Sequence, residues 1–270
     1  AGALGLGLLP VAQAQPEGEE LKICVMSDTH YYPLNYVSDC EDYTTYVNGD
    51  PKMLAESGSI FDAAVDIIEA DQPDIVLISG DLTKDGERQG HLDVSAKLQQ
   101  LEDETGAQVF VINGNHDVYN YTDACTFENG KKEPADTVTP DQFREIYSNF
   151  GYNGDFDAQY YTPPEGKQAG GLSYTVTYGD YVILAMDSAM YSPDATGMDT
   201  NEHITAGRLD EDLMVWAVDQ IQAAEAQGKT VIGLVHHGLL PHFENEDKIV
   251  HEYVVENWQE CATTLADAGL

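Results

Sequence analysis

Short apolar runs and amphipathic helical patterns alternate along the first half of the chain. Apolar runs at residues 21–26, 75–78 and 109–112 predict strands, because each is short, continuous and bounded by polar or turn residues. Amphipathic patterns at residues 59–71 and 92–105 predict helices between these strands. This alternation favours parallel strands that are covered by helices on both faces. We therefore expect an α/β fold.

The first of these helices has a start signal at Ser59 and Asp62, which have the spacing of a capping box. Gln72 and Pro73 end the pattern, since proline does not continue a helix. Helical periodicity places a set of apolar residues on the side that we expect to face the core. These residues are Ile60, Phe61, Ala64, Val65, Ile67 and Ile68.

The second half of the chain predicts further strands and helices. Thr139 caps a helix that has Pro140 at its first position, and Gly151 follows its end. Residues 31–58 and 118–139 are predicted as long polar loops, which in compact domains are usually functional lids or disordered. The remaining predictions are a hairpin of residues 172–178 and 181–186, a helix at 210–227, a strand at 230–235 and mainly helical structure at 249–268.

The charge of the chain is strongly negative. Its 270 residues include 12 Lys and Arg against 48 Asp and Glu, a formal net charge of −36. Nucleic-acid binding requires cationic groups that displace counterions from phosphates, so no nucleic-acid partner is expected. The acidic surface also repels anionic membranes, and no apolar segment is long enough to span a bilayer, so stable membrane insertion is not expected. The sequence gives no indication of the oligomeric state.

The start of the chain has the pattern of a secretion signal. An apolar run at residues 1–11 precedes small residues at Ala12 and Ala14, as in the apolar region and cleavage site of a signal peptide. We interpret residues 1–20 as a signal-peptide remnant and linker, and residues 21–270 as one catalytic domain. Export would make this a secreted or cell-envelope protein of a bacterium. The alternative is an apolar tail without a targeting role.

Four polar clusters each follow the end of a predicted apolar strand. In parallel α/β sheets, ligands bind beyond the carboxyl ends of the strands. We therefore expect these four clusters to converge on one edge of the sheet. They are Asp28-Thr29-His30, Gly80-Asp81, Gly114-Asn115-His116-Asp117 and His236-His237.

The side chains of these clusters are suited to a pair of metal ions. Asp28 and His30 lie two residues apart on a segment that leaves a strand, so they can point at one ion. Asp81 could bridge two cations with its two oxygens, while Asn115 offers a carbonyl oxygen and His236 an imidazole nitrogen. Mixed ligands of this kind favour Mn, Fe or Zn over Mg and Ca. Two such ions about 3.5–4 Å apart can act on the attacking and leaving oxygens of a phosphoryl displacement.

The order of these motifs resembles the calcineurin-like metallophosphoesterases. Asp-x-His, Gly-Asp, Gly-Asn-His-Asp and a His after an apolar strand occur in that order, and Gly-Asn-His-Asp is the most specific of them. The resemblance implies a sandwich of β-sheets flanked by helices, with the metal site at the carboxyl ends of the strands. It implies that Asp28 and His30 hold one metal, that Asp81 bridges, and that Asn115 and His236 hold the second metal.

The resemblance further implies that His116 is a catalytic residue. It would lie beside the phosphate and protonate the leaving oxygen or stabilise charge in the transition state. The nucleophile would be a hydroxide that bridges the two metals. Asp85 or Asp117 could orient His116, and Asp117 could instead accept hydrogen bonds from backbone N–H groups in its own turn.

Other positions qualify the resemblance. His237 could contact the substrate phosphate, or it could pack beside the predicted ligand that precedes it. Lys84 stands three residues after the bridging Asp, where purple acid phosphatases have a metal-binding Tyr, so that branch is not favoured. The family pattern closes with Gly-His-x-His, which supplies one further ligand to each metal, and this sequence has no such motif. We therefore expect that the C-terminal part of the catalytic domain is missing from the sequence; a degenerate site is the alternative.

Cys40 and Cys125 lie in the two long polar loops, which should meet near the predicted site. An exported protein could join them by a disulfide. The sequence leaves open whether they pair.

These patterns together predict a secreted two-metal hydrolase of phosphomonoesters or phosphodiesters. The acidic surface favours small soluble esters, such as nucleotides, as substrates. The alternative is a module of the same fold that binds metal or phosphate without turnover.

Overall fold

The computed structural model describes residues 20–118, 123–191 and 204–270 of the chain. The predicted signal-peptide remnant therefore lies outside the described residues, apart from its last position. No helix in the described part of the chain is both long and apolar enough to cross a bilayer. Two main β-sheets, with helices packed against them, form the body of the protein.

The first sheet consists of three parallel strands in the order β1 (Ile23–Met26), β2 (Ile75–Ile78) and β3 (Gln108–Val111). The predicted parallel arrangement is therefore confirmed. All residues of the central strand β2 are buried. The strand predicted at residues 21–26 is present as β1, but it is not buried throughout, since Val25 is 68% exposed. β1 lies at the edge of the sheet.

The second sheet contains β6 (Gln159–Tyr160), β7 (Tyr174–Tyr178), β8 (Tyr181–Met186) and β9 (Thr230–Val235). β6 pairs antiparallel with β7, β7 pairs antiparallel with β8, and β9 pairs parallel to β8. β7 and β8 form the predicted hairpin, and β9 has the predicted bounds. The carboxyl end of β9 therefore lies at the same end of this sheet as that of β8.

The side chains of β8 alternate between two hydrophobic clusters, as the two-residue period of a strand requires. Ile183 belongs to the cluster that also contains residues of β2 and β3 in the first sheet. Its neighbour Leu184 belongs to the cluster that contains residues of α5 (Glu211–Ala226) and α7 (Trp258–Ala268). The second sheet thus packs against the first sheet on one face and against these helices on the other.

Helices α2 (Ser57–Asp71) and α3 (Arg88–Thr105) cover the first sheet. The capping box predicted at Ser59 is wrong, because α2 begins two residues earlier and its cap residue makes no side-chain hydrogen bond. Two of the residues predicted to face the core, Ile60 and Ile67, are exposed. The buried stripe of the helix is narrower than the apolar pattern, and its large members are Phe61, Val65 and Ile68.

The cap predicted at Thr139 is confirmed. Its hydroxyl accepts a hydrogen bond from the Gln142 N–H, the Gln142 side chain accepts one from the Thr139 N–H, and α4 (Pro140–Ile146) follows. The mainly helical structure predicted for residues 249–268 is interrupted. It consists of the end of α6 (Glu246–Ile249), a 3-10 turn at His251–Tyr253, and α7.

The two segments predicted as long loops contain regular structure and pack together, so that prediction is wrong. The first contains α1 (Glu41–Gly49), and the second contains the antiparallel pair β4 (Cys125–Thr126) and β5 (Glu133–Pro134). Cys40 and Cys125 are free thiols in this structure. Both belong to one hydrophobic cluster whose buried members are Tyr32, Leu54, Cys125 and Phe127. We call residues 31–58 and 123–138 the aromatic insert.

Candidate metal centre

The seven site residues predicted from the sequence line one cavity of about 650 Å³. Backbone hydrogen bonds join the loops that follow β1 and β2. The N–H of Asp28 donates to the carbonyl of Gly80 at 3.1 Å, and the N–H of His30 donates to the carbonyl of Asp81 at 2.9 Å. The residues that the structure brings together are Asp28, His30, Asp81, Asn115, His116, His236 and His237. Their individual roles stay predictions.

Three of the predicted metal ligands have left-handed backbones. The φ angles are 54° at Asp28, 40° at His30 and 49° at Asp81. A non-glycine residue in this region costs on the order of 1 kcal/mol or more, and such residues persist where the surrounding structure holds them, often at functional sites. Three strained residues in one cavity therefore mark it as a functional site.

The space for the Asp81 carboxylate depends on two glycines. Gly80 has a φ of +99°, which L side chains rarely adopt, and a Cβ there would lie 2.4 Å from the backbone nitrogen of Gly114. A Cβ at Gly114 would lie 2.2 Å from Oδ1 of Asp81. These close approaches give a physical reason for the glycine that begins each of the two motifs.

The carboxylate of Asp81 lies between two groups of candidate ligands. Its Oδ2 is 3.6 Å from Nε2 of His30 and 3.5 Å from Nε2 of His236. One group combines Asp81 with His30 and His116, and the other combines it with Asp28 and His236. In each group the potential ligand atoms lie within 4.8 Å of one another. Asp81 is thus positioned to be the ligand that two ions share.

The pairs that the resemblance assigned to single ions are also neighbours. Oδ1 of Asp28 lies 3.8 Å from Nε2 of His30. Oδ1 of Asn115 lies 3.1 Å from Nε2 of His236. The geometry therefore accommodates the predicted pairs, while the assignment of each residue to one ion stays a prediction.

The environment of His236 fits a metal ligand. Its Nδ1 lies 2.9 Å from the carbonyl oxygen of Ser79, which can only accept a hydrogen bond, so Nδ1 carries the proton. Nε2 is then turned toward the cavity, where it lies near the Asn115 Oδ1 and Asp81 Oδ2 atoms. A cation among these three atoms could be bound by all of them. A backbone acceptor on the other ring nitrogen is the usual support of a metal-binding histidine.

His30 is held in the neutral form. Burial, followed by the nearby charge of His116, lowers the pKa of His30 to about 3. Its Nδ1 is buried and has no hydrogen-bond partner among the described residues, so no hydrogen bond fixes which ring nitrogen carries the proton. A neutral imidazole is the form that binds metal ions.

Asp85 orients the ring of His116. Its Oδ1 lies 2.8 Å from Nδ1 of His116, which settles the two candidates for this role in favour of Asp85. Burial alone would lower the pKa of His116, but the hydrogen bond to Asp85 and the charge of Asp81 raise it above its ordinary value. Asp117 instead accepts hydrogen bonds from the backbone N–H groups of Gly114 at 2.8 Å and of Thr83 at 3.0 Å.

Lys84 continues this chain of contacts into the aromatic insert. Its Nζ lies 2.7 Å from Oδ2 of Asp85 and 3.4 Å from Oδ2 of Asp50, and all three side chains are largely buried. Although burial raises the pKa of Asp85, the hydrogen bonds from His116 and Lys84 hold it below its ordinary value. Asp50 was not among the predicted site residues, and Lys84 entered the sequence analysis only as a residue that disfavours the purple acid phosphatases. The contact with Asp50, 34 positions before Lys84, has no local sequence signal.

His237 is fully engaged within the protein. Its Nδ1 lies 2.7 Å from Oγ of Ser188, and its Nε2 lies 2.9 Å from the carbonyl oxygen of Thr205. Burial lowers the pKa of His237 to about 4. Gly207 packs so closely that a Cβ there would lie 2.3 Å from the ring. Substrate contact by His237 stays a prediction, and the observed hydrogen bonds match the packing alternative.

Comparison with known proteins agrees with this geometry. The calcineurin-like phosphoesterase family model matches residues 21–259 of the chain. Among solved structures, a dimetal phosphatase from Danio rerio has a TM-score of 0.52 and 13% sequence identity, covering 92% of this chain and 77% of that chain. At that identity the likeness shows the fold alone. No curated protein matches the chain. The match over residues 21–259 shows that the chain belongs to the calcineurin-like phosphoesterase family.

Proposed function

We propose that the chain hydrolyses phosphate esters with the help of two metal ions. The observation that carries this proposal is the position of the Asp81 Oδ2 atom between Nε2 of His30 and Nε2 of His236, at 3.6 and 3.5 Å. Two ions about 3.5–4 Å apart can both be reached by one carboxylate that lies between them. Membership of the calcineurin-like phosphoesterase family and the similar fold of a dimetal phosphatase support it.

The residues that would hold the ions are Asp28, His30, Asp81, Asn115 and His236. When bound, two such ions lower the pKa of water enough to supply a nucleophile near neutral pH, and they neutralise charge on the phosphoryl oxygens. Carboxylate, amide and imidazole ligands together favour Mn, Fe or Zn. The protein's contribution is to fix these ligands, and the hydrogen bond from His236 to Ser79 is one such constraint.

His116 would protonate the leaving oxygen. Asp85 occupies its Nδ1 side, so the other ring nitrogen is the one available to a substrate in the cavity. The hydrogen bond to Asp85 raises the pKa of His116, which favours the protonated form of the ring. A proton at this position can be transferred to the leaving oxygen as the ester bond breaks.

We favour small soluble esters, such as nucleotides, as the substrates. The net charge of −36 opposes the approach of polyanions such as DNA. The cavity volume of about 650 Å³ lies within the range that is usual for small-molecule sites. Both monoesters and diesters meet these conditions.

The proposal is tested by turnover of chromogenic esters in the presence of Mn²⁺. The substrates are p-nitrophenyl phosphate and bis(p-nitrophenyl) phosphate, with the wild type compared to Asp81→Asn. Asp66→Asn is the matched control, because it removes one exposed carboxylate from the surface of α2. We expect the wild type and the control to hydrolyse at least one ester, and Asp81→Asn to lose roughly a thousandfold in kcat.

A second outcome would favour the non-catalytic alternative. If the wild type binds Mn²⁺ and turns over neither ester, the chain is a binding module of this fold rather than a hydrolase. If turnover occurs and Asp81→Asn leaves it unchanged, the hydrolysis does not depend on the shared carboxylate and the assigned site is wrong.

We also infer that the protein is exported. The apolar run and the small residues Ala12 and Ala14 support this, and they lie outside the described residues. Fractionation of the source cells should place the protein outside the cytoplasm, with a mature N-terminus shortly after Ala14. Recovery from the cytoplasm with the apolar run intact would contradict it.

A further inference from the structure

A turn in the aromatic insert forms part of the wall of the cavity. It follows α1 and contains Asp50, Pro51, Lys52 and Met53. Oδ1 of Asp50 accepts a hydrogen bond from the backbone N–H of Lys52 at 2.8 Å, so the side chain fixes the turn that follows it. Met53 has a φ of 52°, an uncommon angle for a non-glycine residue. The backbone on both sides of Lys52 is therefore constrained.

The same Asp50 side chain ties the turn to the predicted catalytic histidine. Its Oδ2 lies 3.4 Å from Nζ of Lys84, which contacts Asp85 at 2.7 Å, and Asp85 in turn contacts His116 at 2.8 Å. The side chains of Asp50, Lys84 and Asp85 are only 16%, 8% and 4% exposed. Buried, hydrogen-bonded charges hold a defined geometry, because separating them would leave an unpaired charge in the interior. The backbone of the turn that carries Lys52 is thereby tied to the Asp85–His116 pair.

Lys52 is the one Lys or Arg among the described residues that line the cavity. Its side chain is half-buried, and its ammonium group has no carboxylate within 4 Å in the described part of the chain. It shares the wall of the cavity with both His30 and His116. In a chain of net charge −36, this is a local positive group facing the metal-ligand cluster.

We propose that Lys52 binds a non-bridging oxygen of the substrate's phosphoryl group and thereby favours phosphomonoesters over phosphodiesters. This inference rests on the proposed function of the site. A monoester dianion carries one more charged oxygen than a diester, in which that oxygen bears a second organic group. An ammonium group with three donors forms a stronger hydrogen bond with a charged oxygen than with an esterified one.

The role is electrostatic and requires no transfer of a proton from Lys52. Its contact is made with the phosphoryl group itself. The binding of inorganic phosphate, which has no leaving group, should therefore depend on Lys52 as well. A lysine that contacts only an anionic group on the leaving side would not affect phosphate binding.

The direct test is binding of inorganic phosphate to the Mn²⁺-loaded protein, measured by calorimetry. The variants are Lys52→Met, which removes the charge, and Lys52→Arg, which retains it. Lys131→Met is the matched control, because Lys131 lies in the same insert, is 65% exposed and does not line the cavity. We expect Lys52→Met to weaken phosphate binding roughly tenfold, and Lys52→Arg and Lys131→Met to stay close to the wild type. Thermal unfolding of each variant checks that it is folded.

Turnover separates this inference from the function on which it rests. With p-nitrophenyl phosphate and bis(p-nitrophenyl) phosphate, Lys52→Met should lower kcat/KM for the monoester roughly tenfold more than for the diester. If the wild type turns over neither ester but Lys52→Met still weakens phosphate binding, the hydrolase proposal fails and the role of Lys52 stands. The inference is overturned if Lys52→Met binds phosphate as the wild type does. It is also overturned if the substitution lowers kcat/KM equally for both esters.

Discussion

Oδ1 of Asp85 lies 2.8 Å from Nδ1 of His116, in a buried contact that leaves the Nε2 edge of the imidazole ring for the cavity. The contact matters for the chemistry because a proton donor must be aimed at the leaving oxygen. Asp85 is not among the described residues that line the cavity. Its position therefore fits a residue that orients His116 rather than one that binds a metal ion.

Asp85→Asn should impair the transfer of a proton to the leaving oxygen while leaving the metal ligands in place. We expect kcat to fall roughly a hundredfold for alkyl phosphates, whose leaving groups need a proton, and much less for p-nitrophenyl phosphate, whose leaving group does not. Steady-state kinetics on the two esters and the Mn²⁺ content of each protein check this. Equal losses on both esters, or a loss of bound metal, would contradict the assigned role.

Lys84→Met should destabilise the fold strongly. The substitution leaves the largely buried carboxylates of Asp50 and Asp85 without their shared cation, which costs on the order of 3 kcal/mol in the free energy of unfolding. Lys97→Met is the control, because the ion pair of Lys97 with Asp62 is partly exposed and should contribute less than about 1 kcal/mol. Urea unfolding of both variants measures the difference, and similar values for the two would count against a buried triad.

Glu87 should make the stability fall as the pH rises. Burial, followed by the charge of Asp85, raises the pKa of Glu87 from its ordinary 4.5 to about 7. Between these values the folded protein keeps a proton that the unfolded chain has lost, so stability decreases from pH 4.5 to 7 and is constant above. Glu87→Gln removes this contribution. The free energy of unfolding of the variant, relative to that of the wild type, should therefore increase by on the order of 2 kcal/mol from pH 5 to pH 8. Unfolding curves that differ by the same amount at both pH values would refute the effect.

Gly114→Ala should disrupt the site by steric conflict. The new Cβ would lie 2.2 Å from Oδ1 of Asp81, so the carboxylate or the backbone must move. We expect a loss of about 1–3 kcal/mol in the free energy of unfolding together with a loss of bound metal. Gly49→Ala is the control, because a Cβ there has nothing within 4 Å, and it should leave metal content unchanged. Normal metal content in Gly114→Ala would show that Asp81 is not confined as described.

The arrangement of the predicted ligands followed from the sequence, because parallel strands end at one edge of a sheet. Asp28, Asp81 and Asn115 each follow a short apolar run, and the structure joins the first two loops by a backbone hydrogen bond from Asp28 to Gly80. Local periodicity was less reliable where tertiary packing decides burial. Ile60 belongs to an apolar pattern, yet it is exposed because the stripe of α2 that meets the sheet is narrow.

Residues that act through long-range contacts could not be found in the sequence. Asp50 and Lys84 meet only because the aromatic insert folds over the loop that follows β2. The sequence of the insert predicts a loop, because α1 is short and contributes no strongly periodic apolar face to the cluster that holds the insert together. The choice between Asp85 and Asp117 as the partner of His116 likewise required side-chain directions that spacing does not provide.

The central claim, that Asp81 is shared by two ions, is tested most directly by electron paramagnetic resonance of the protein saturated with Mn²⁺. Two ions about 3.5–4 Å apart on a shared carboxylate are coupled magnetically. We predict the spectrum of an exchange-coupled Mn²⁺ pair in the wild type, and its replacement by the spectrum of isolated Mn²⁺ in Asp81→Asn. A wild-type protein that shows only isolated Mn²⁺ at saturation would contradict the account.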